Sequence, residues 1–240
     1  MRLNTMAAAF AEQLKDSSMD ELAFDERVAI MVDREWTARE NRKLTIRLKQ
    51  AKLKHHATIE DMDFRHPRGL DKSLILTLAN CHWIRNHQNV ILTGPTGIGK
   101  SYIAEALVNK ACCEGFTAIC NKSTKLFREL EVARGDGSYS RYLSKMVKTN
   151  ILVIEDWGFE TLNDTQRVDL FEVIEDRHGI QSTIMISQYP VTDWHNFVGE
   201  PTIADAILDR IVHNAHKISL QGESMRKTRA ALTQSEPPKP

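Results

Sequence analysis

The glycine-rich loop from Gly94 to Ser101 is the segment with the clearest chemistry. It matches the phosphate-binding pattern G-x-x-x-x-G-K-[ST] at every fixed position. Its residues are Gly94, Pro95, Thr96, Gly97, Ile98, Gly99, Lys100 and Ser101. The glycines let backbone N–H groups surround phosphates, and the start of the following helix adds positive charge. Lys100 would neutralise the β- and γ-phosphates, and the Ser101 hydroxyl would bind Mg²⁺. The loop therefore predicts ATP and Mg²⁺ as cofactors, with Tyr102 included in the nucleotide site.

Two adjacent carboxylates, Glu155 and Asp156, follow the apolar run Ile151-Leu152-Val153-Ile154. Phosphoryl transfer at such a loop needs an acid that holds Mg²⁺ and a base that orients the attacking water. Because side chains alternate along a strand, the two acids would point in different directions. By position, we expect Glu155 to bind the metal and Asp156 to polarise the water. The alternative is that the pair only marks a solvated strand end.

Three further polar residues are candidates for contact with the γ-phosphate or with charge that develops on it. Gln188 follows the apolar segment Thr183–Ser187, where it could contact the attacking water or simply begin a loop. Arg210 and Arg226 are cations of the kind that offset transition-state charge, often from a neighbouring subunit. The alternative for each arginine is a surface or salt-bridge role.

A net charge of zero conceals a concentrated basic segment. Residues 1–33 carry three bases and seven acids, whereas residues 34–56 carry eight bases and two acids. The eight cations are Arg34, Arg39, Arg42, Lys43, Arg47, Lys49, Lys52 and Lys54. A helix with this charge can bind DNA phosphates without reading the base sequence. The alternatives are a solvated helical face and a coiled-coil seam.

Composition excludes several classes of protein. Hydrophobic residues make up 42% and charged residues 27% of the 240 residues, as in ordinary globular proteins. No apolar run approaches the roughly 18 residues of a membrane span, and no signal-peptide pattern is present, which predicts a cytoplasmic protein without a membrane partner. The four cysteines lack metal-ligand spacing.

The elements that must position these residues fall into two regions. The first 65 residues contain no glycine or proline and predict helices over Met6–Leu14 and from about Asp25 to Lys54. Ser18 and Glu21 have the spacing of a helix-capping box. His66-Pro67-Arg68-Gly69 is the first turn signal, so we place a domain boundary before residue 66.

Beyond residue 66, apolar strands alternate with helices, which predicts an α/β fold with a parallel sheet between two helix layers. We expect strands at residues 89–93, 117–121, 151–154, 183–187 and 217–220. We expect helices at residues 100–113, 123–133, 163–177 and 201–213. The predicted domains are a small all-α DNA-binding domain at residues 1–65, a P-loop ATPase domain at 66–227 and a disordered tail at 228–240.

Taken together, the motifs resemble those of the IstB family, the AAA+ ATPase helpers of insertion-sequence transposases, which are similar to DnaC helicase loaders. The resemblance covers residues 3 to about 227. It rests on Arg65–Asp71, Trp83–Arg85, Gly94–Ser101, Glu155–Gly158, Asp176–Gly179, Ser187–Gln188, Asp205–Arg210 with Val212–His216, and Gly222–Arg226. It implies that Gln188 is sensor 1, that Arg210 is an arginine finger acting across a subunit interface, and that Arg226 is the sensor-2 arginine.

The resemblance also implies a function. The family's pattern is a homo-oligomer, with ATP at subunit interfaces, that assembles on double-stranded DNA and recruits and regulates a transposase. This sequence departs from the pattern at the acids, because Glu155 stands where Asp is usual and Asp156 where most AAA+ proteins carry Glu. We therefore expect slow hydrolysis. The alternatives are a replication helicase loader and a nucleotide-dependent scaffold without useful turnover.

Overall fold

The structure is a computed structural model that describes residues 3–225. The chain divides into two compact units between Lys49 and Gln50. This division lies before the boundary expected at residue 66. The reason is that residues 54–57 bond to a helix of the second unit: Lys54 and His55 donate backbone hydrogen bonds to Glu105, and Asn109 donates to Ala57 O.

The first unit consists of helices. Helix α1 is Asn4–Gln13, a 3₁₀ helix follows at Ser17–Glu21, and α2 is Phe24–Ala51, whose last two residues belong to the second unit. The capping box expected at Ser18 and Glu21 is wrong, because both residues lie within the 3₁₀ helix. Asp16 caps that helix by accepting a hydrogen bond from Ser18 N, and Glu26 accepts one from Ala23 N at the start of α2.

A buried carboxylate joins the two α-helices of the first unit. Glu35 of α2 is 4% exposed and accepts hydrogen bonds from Thr5 N and Met6 N at 2.9 and 3.0 Å. These N–H groups lie in the first turn of α1, where helices leave donors without internal partners. Arg39 donates to the same carboxylate at 2.7 Å, and this bond is the largest cause that lowers the pKa of Glu35.

The second unit is built on a five-stranded parallel sheet of order β2-β3-β4-β1-β5. The strands are β1 (Asn89–Thr93), β2 (Ala118–Lys122), β3 (Ile151–Trp157), β4 (Ser182–Ser187) and β5 (Ala215–Ser219). Strands β1 and β4 are buried along their whole length, as expected for a parallel sheet covered on both faces. The predicted α/β fold is confirmed. Parallel pairing places the carboxyl ends of β1, β3 and β4 side by side at one edge.

Helices surround the sheet. They are α3 (Lys72–Ala79), α4 (His82–Arg85), α5 (Lys100–Cys113), α6 (Ser123–Gly135), α7 (Tyr139–Lys148), α8 (Asp164–Arg177), α9 (Trp194–Val198) and α10 (Pro201–Val212), with a 3₁₀ helix at Val191–Asp193. Helices α3, α4, α7 and α9 were not predicted. Helix α7 buries Leu143 and Met146, and its other apolar residues, Tyr139, Tyr142 and Val147, pack partly buried against the core, so their spacing is that of an amphipathic helix. Within residues 3–225, none of the helices has the length and apolar composition to cross a membrane.

Arg177, at the end of α8, is a structural arginine. It is 1% exposed and donates hydrogen bonds to Met146 O, Thr149 O and Ser182 O. Burial lowers the pKa of its guanidinium to about 9. These bonds satisfy carbonyl groups at the end of α7 and at the start of β4, so Arg177 ties three elements together.

Candidate nucleotide-binding site

The glycine-rich loop connects the end of β1 to the start of α5, as the sequence predicted. Gly94 and Gly97 have φ values of +136° and +84°, which favour glycine. Close packing adds a second requirement. A Cβ atom at Gly94 would lie 2.3 Å from Leu220 O, and one at Gly97 would lie 2.2 Å from Ser224 Oγ. The segment after β5 therefore packs directly on the loop and restricts both positions to glycine.

Lys100 occupies the first position of α5 and is 8% exposed. Its ammonium group donates hydrogen bonds to Gly94 O and Pro95 O at 2.5 and 2.9 Å. Burial lowers the pKa of Lys100, and the charge of Asp156 opposes that shift. The loop thus holds a buried cation at a helix N-terminus, an arrangement suited to binding phosphate.

A cavity of about 620 Å³ opens beside the loop, within the size range of small-molecule sites. Its lining includes Thr96, Gly97, Gly99, Lys100, Ser101 and Tyr102 together with Glu155, Asp156 and Gln188. Ile98 is fully buried, and Gly94 and Pro95 contribute the carbonyl groups that contact Lys100. The structure therefore brings together residues predicted from three separate segments of the sequence.

The two acids lie at an irregularity in β3. The pairing of β3 with β4 shifts register between Ile154 and Trp157, and Asp156 has a φ of +57°. Simple strand alternation therefore does not apply, and both acids line the same cavity. Ser123 Oγ donates to Asp156 O at 3.1 Å, which fixes the backbone of this residue.

Each acid has a cationic partner. The Glu155 carboxylate is 5% exposed, and its Oε2 lies 2.8 Å from the Nζ of Lys54. The Asp156 carboxylate is 39% exposed, and its Oδ2 lies 2.7 Å from the Nζ of Lys122. Sequence reasoning missed both partners, because the contacts join residues far apart in the chain. Lys54, predicted to bind DNA, is among the residues that line the nucleotide cavity.

The end of β4 contributes Ser187 and Gln188. Ser187 is 1% exposed, and its hydroxyl donates to Trp157 O at 2.7 Å and accepts from Tyr189 N at 3.1 Å. These bonds hold the turn that carries Gln188, whose exposed side chain lines the cavity. The placement of Gln188 suits contact with the terminal phosphate or with a water molecule beside it.

The two predicted arginines lie elsewhere. Arg210 of α10 forms an ion pair with Glu175 of α8, donates to Ala206 O at 2.8 Å and lies over the Phe171 ring at 5.5 Å. It is not among the described residues that line the cavity of its own chain. Arg226 lies outside the described residues. Its neighbour Met225 lines the cavity and donates from its backbone N to Gly97 O at 3.1 Å.

Arg68 was not predicted as a site residue, although it belongs to a motif that carries the family resemblance. It is 2% exposed and donates from Nη1 to Ile98 O at 2.9 Å and from Nη2 to Asp63 O at 2.8 Å. Its side chain therefore stabilises the P-loop through the hydrogen bond to Ile98 O. The sequence signal that could have found it is an arginine between a proline and a glycine just before the α/β region.

Most of the predicted DNA-binding cations lie along α2. Arg34, Arg42, Lys43 and Lys49 are exposed, whereas Arg39 and Arg47 are partly buried. Several already have acidic partners within the first unit: Arg34 pairs with Glu12, Arg39 and Arg42 with Glu35, and Lys43 with Glu40. Lys52 and Lys54 follow the end of the helix at Ala51.

The donors in the cavity fit Mg²⁺ that arrives with a nucleotide. Mg²⁺ is usually held by one or two carboxylates, by waters and by substrate phosphates, and not by a complete protein cage. Ser101 and Glu155 supply one hydroxyl and one carboxylate in the same cavity. No group of three or more His, Cys, Asp or Glu residues between positions 3 and 225 could hold a metal ion by itself. Ser101 and Glu155 would be its protein ligands.

The sheet order and the P-loop beside two carboxylates define an ATP-binding protein with an AAA+ fold. The chain belongs to the family described as IstB-like ATP binding protein, whose model matches residues 1–233. It is 46% identical over 227 residues to a protein of Sinorhizobium fredii described as an insertion sequence ATP-binding protein, covering 95% of this chain and 93% of that protein. It is 44% identical over 191 residues to the IS1162 ATP-binding protein of Pseudomonas fluorescens, covering 79% and 83%.

Solved structures show the same fold at low identity. The DnaC helicase loader aligns with a TM-score of 0.56 and 19% identity, covering 71% of this chain and 99% of that chain. AMPPCP-bound DnaA from Aquifex aeolicus aligns with a TM-score of 0.61 and 13% identity, covering 76% and 56%. The predicted membership of the IstB family is confirmed, and the fold is shared with the DnaC helicase loader.

Proposed function

We propose that the chain is an ATP-hydrolysing, DNA-binding regulator of insertion-sequence transposition. In this proposal it forms homo-oligomers on duplex DNA in the cytoplasm and recruits and activates a transposase. The observation that carries the proposal is that the P-loop, Glu155, Asp156 and Gln188 line the same cavity. Its setting in transposition is supported by relatives described as insertion sequence ATP-binding proteins.

Each residue of the cavity has a separate role in the proposed hydrolysis. Lys100 and the N–H groups of the loop bind the β- and γ-phosphates, and Ser101 and Glu155 would hold an Mg²⁺ ion that would offset the phosphate charge. Asp156 orients the attacking water and accepts its proton, while Gln188 contacts the terminal phosphate or that water. Because Lys122 already holds Asp156 in an ion pair, water must share or displace this contact. That competition supports slow turnover.

Completion of the site by a neighbouring subunit is supported by the position of Arg210. The residue packs between α10 and α8 and does not line the cavity of its own chain within residues 3–225. A cation that reaches a neighbour's γ-phosphate would link ATP binding to assembly, because the nucleotide then lies between two copies. Arg226 is proposed to contact the phosphates from within the same chain.

DNA binding is assigned to the cations of α2. Exposed arginine and lysine side chains exchange intramolecular partners for phosphates at little cost, since surface ion pairs contribute only about 0 to 1 kcal/mol. Such contacts are insensitive to base sequence and suit a protein that assembles along any duplex.

The proposal is tested by ATP-dependent assembly on DNA. Sedimentation with a labelled duplex should show oligomers with a non-hydrolysable ATP analogue and monomers or small species without it. Lys100→Ala removes the phosphate-neutralising cation and should abolish both nucleotide binding and this assembly. Lys110→Ala is the matched control, because Lys110 lies on the same helix and pairs with Glu114 at the surface. Unchanged assembly by Lys100→Ala would contradict the proposal.

A replication helicase loader is the second candidate, supported by the structural likeness to DnaC. A loader would act on single strands and bind a replicative helicase, whereas the proposed regulator acts on duplex DNA and binds a transposase. Pull-down with each purified partner in the presence of ATP separates the two functions.

A further inference from the structure

Lys54 contacts the acid assigned to the metal. Its Nζ lies 2.8 Å from Glu155 Oε2, and the two side chains are 50% and 5% exposed. Both residues belong to the second unit. A buried carboxylate without a partner is costly, so the ammonium group stabilises Glu155 in the form of the protein that the structure describes.

The backbone of Lys54 is anchored while its ammonium group is half-exposed. Glu105 of α5 is 2% exposed and accepts hydrogen bonds from His55 N at 2.8 Å and from Lys54 N at 3.4 Å. The His55 ring also contacts this carboxylate at 2.9 Å. Helix α5 begins at the P-loop, so Lys54 is fixed to the same element as Ser101. The ammonium group can therefore leave Glu155 without movement of the backbone.

The other lysines of the cavity already contact different groups. Lys100 donates to Gly94 O and Pro95 O, and Lys122 pairs with Asp156. Lys54 is thus the lysine that neutralises Glu155. A divalent cation bound to Glu155 would lie only about 2.1 Å from a carboxylate oxygen. Two positive groups on one buried carboxylate repel each other strongly, because the low local dielectric screens them poorly.

We propose that Lys54 is a resident counter-ion of Glu155 that competes with the divalent cation of the nucleotide and withdraws into solvent when that cation binds. This inference rests on the proposed role of Glu155 as a metal ligand. Lys54 keeps the acid neutralised before the nucleotide arrives, and it weakens the contribution of Mg²⁺ to nucleotide affinity. It is therefore a positioning residue for the metal site, not a catalytic residue.

The test is calorimetric titration of the full chain with a non-hydrolysable ATP analogue, in Mg²⁺ and in EDTA. Lys54→Gln removes the charge but keeps a hydrogen-bond donor for Glu155, which protects folding. We expect it to tighten binding in Mg²⁺ on the order of tenfold and to leave binding in EDTA unchanged. Lys54→Arg keeps the charge and should match the wild type. Lys125→Met is the control, since Lys125 is similarly exposed and pairs with Glu129 on α6.

The outcomes separate this inference from the proposed function. Equal Mg²⁺-dependent affinity in Lys54→Gln and wild type overturns the competition. Weaker binding of Lys54→Gln in EDTA also overturns it, because Lys54 would then contact the phosphates. Glu155→Gln tests the underlying assignment, and it should weaken binding in Mg²⁺ only. If Glu155→Gln has no effect, the metal role of Glu155 fails. If it weakens binding while Lys54→Gln changes nothing, only the role of Lys54 fails.

Discussion

Arg68 and Ile98 are joined by a hydrogen bond of 2.9 Å from the Nη1 of the arginine to the carbonyl oxygen of the P-loop residue. A Cβ atom at Gly99 would lie only 2.4 Å from the same Nη1, so the guanidinium packs directly on the loop. The conformation of the P-loop thus depends on a buried residue 30 positions earlier in the chain.

The first prediction concerns this contact. Arg68→Lys should lower the free energy of unfolding by about 2 kcal/mol. The planar guanidinium donates to Ile98 O and Asp63 O at once, and a lysine ammonium group lacks that geometry. The substitution should also weaken ATP binding, because the loop loses its support. Thermal unfolding and calorimetric titration with ATP measure the two effects. Arg65→Lys is the control at an exposed arginine three residues away. Wild-type ATP affinity in Arg68→Lys would show that the loop holds its shape without the guanidinium.

The second prediction concerns Arg210. If it acts on a neighbour's nucleotide, Arg210→Ala should bind ATP normally and hydrolyse it on the order of 10³-fold more slowly. If the Glu155-Asp156 pair makes the wild type slow, the measured difference between the two proteins will be smaller. Mixing Arg210→Ala with Lys100→Ala should restore part of the activity, because each supplies what the other lacks.

The ion pair of Arg210 with Glu175 provides the control for this experiment. Glu175→Gln removes the partner but keeps the cation, so it should retain hydrolysis. Equal losses in Glu175→Gln and Arg210→Ala would indicate a structural role. A mixture that stays inactive although mixed oligomers form would show that Arg210 does not act between subunits.

The third prediction concerns pH and the first unit. The contacts of Glu35 with Arg39 and with the backbone of Met6 lower the pKa of its carboxyl group in the folded protein. A lowered folded-state pKa stabilises the fold above the unfolded-state pKa, and this stabilisation is lost as pH falls through the folded-state value. Glu35→Gln should therefore be less stable than wild type at neutral pH, and the difference should narrow in acid. Circular dichroism melts across pH measure this, and a constant difference would contradict it.

The fourth prediction concerns salt. Six of the predicted cations lie on α2 itself, namely Arg34, Arg39, Arg42, Lys43, Arg47 and Lys49. If all six contact duplex phosphates, the logarithm of the DNA affinity should fall with the logarithm of salt concentration at a slope of about −5. Lys49→Ala removes one phosphate contact, so the slope should become less negative by about 1, whatever the DNA sequence. Fluorescence anisotropy with two unrelated duplexes measures the slope, and a flat dependence would remove α2 from the DNA-binding surface.

The sequence predicted the parts of the site that depend on local pattern. The P-loop, the two acids near the end of β3 and the alternation of strands and helices are all encoded in short segments whose chemistry is specific. Helix α7 was missed although its apolar residues have the spacing of an amphipathic helix, so the sequence did contain this signal. The conformation of Asp156 escaped because the register shift arises from pairing with β4, which single-strand alternation does not describe.

Contacts between distant segments were also beyond sequence reasoning. Lys54 was grouped with the cations of α2 because it follows them in sequence, yet its ammonium group contacts a carboxylate 101 positions later. Charge density along the chain identified the basic segment but not the side chain that turns to the nucleotide cavity. Arg68 was visible as part of a motif, but its role depends on packing beneath the loop.

The most direct test of the central claim is the rate of ATP hydrolysis measured in parallel with no DNA, duplex DNA and single-stranded DNA. The account predicts a low basal rate that rises with duplex DNA and falls to background in Lys100→Ala. Stimulation by single strands alone would favour a helicase loader. Absence of hydrolysis under all three conditions, by a protein that still binds ATP, would contradict the assignment of Asp156 and Gln188 to catalysis and leave a nucleotide-dependent scaffold.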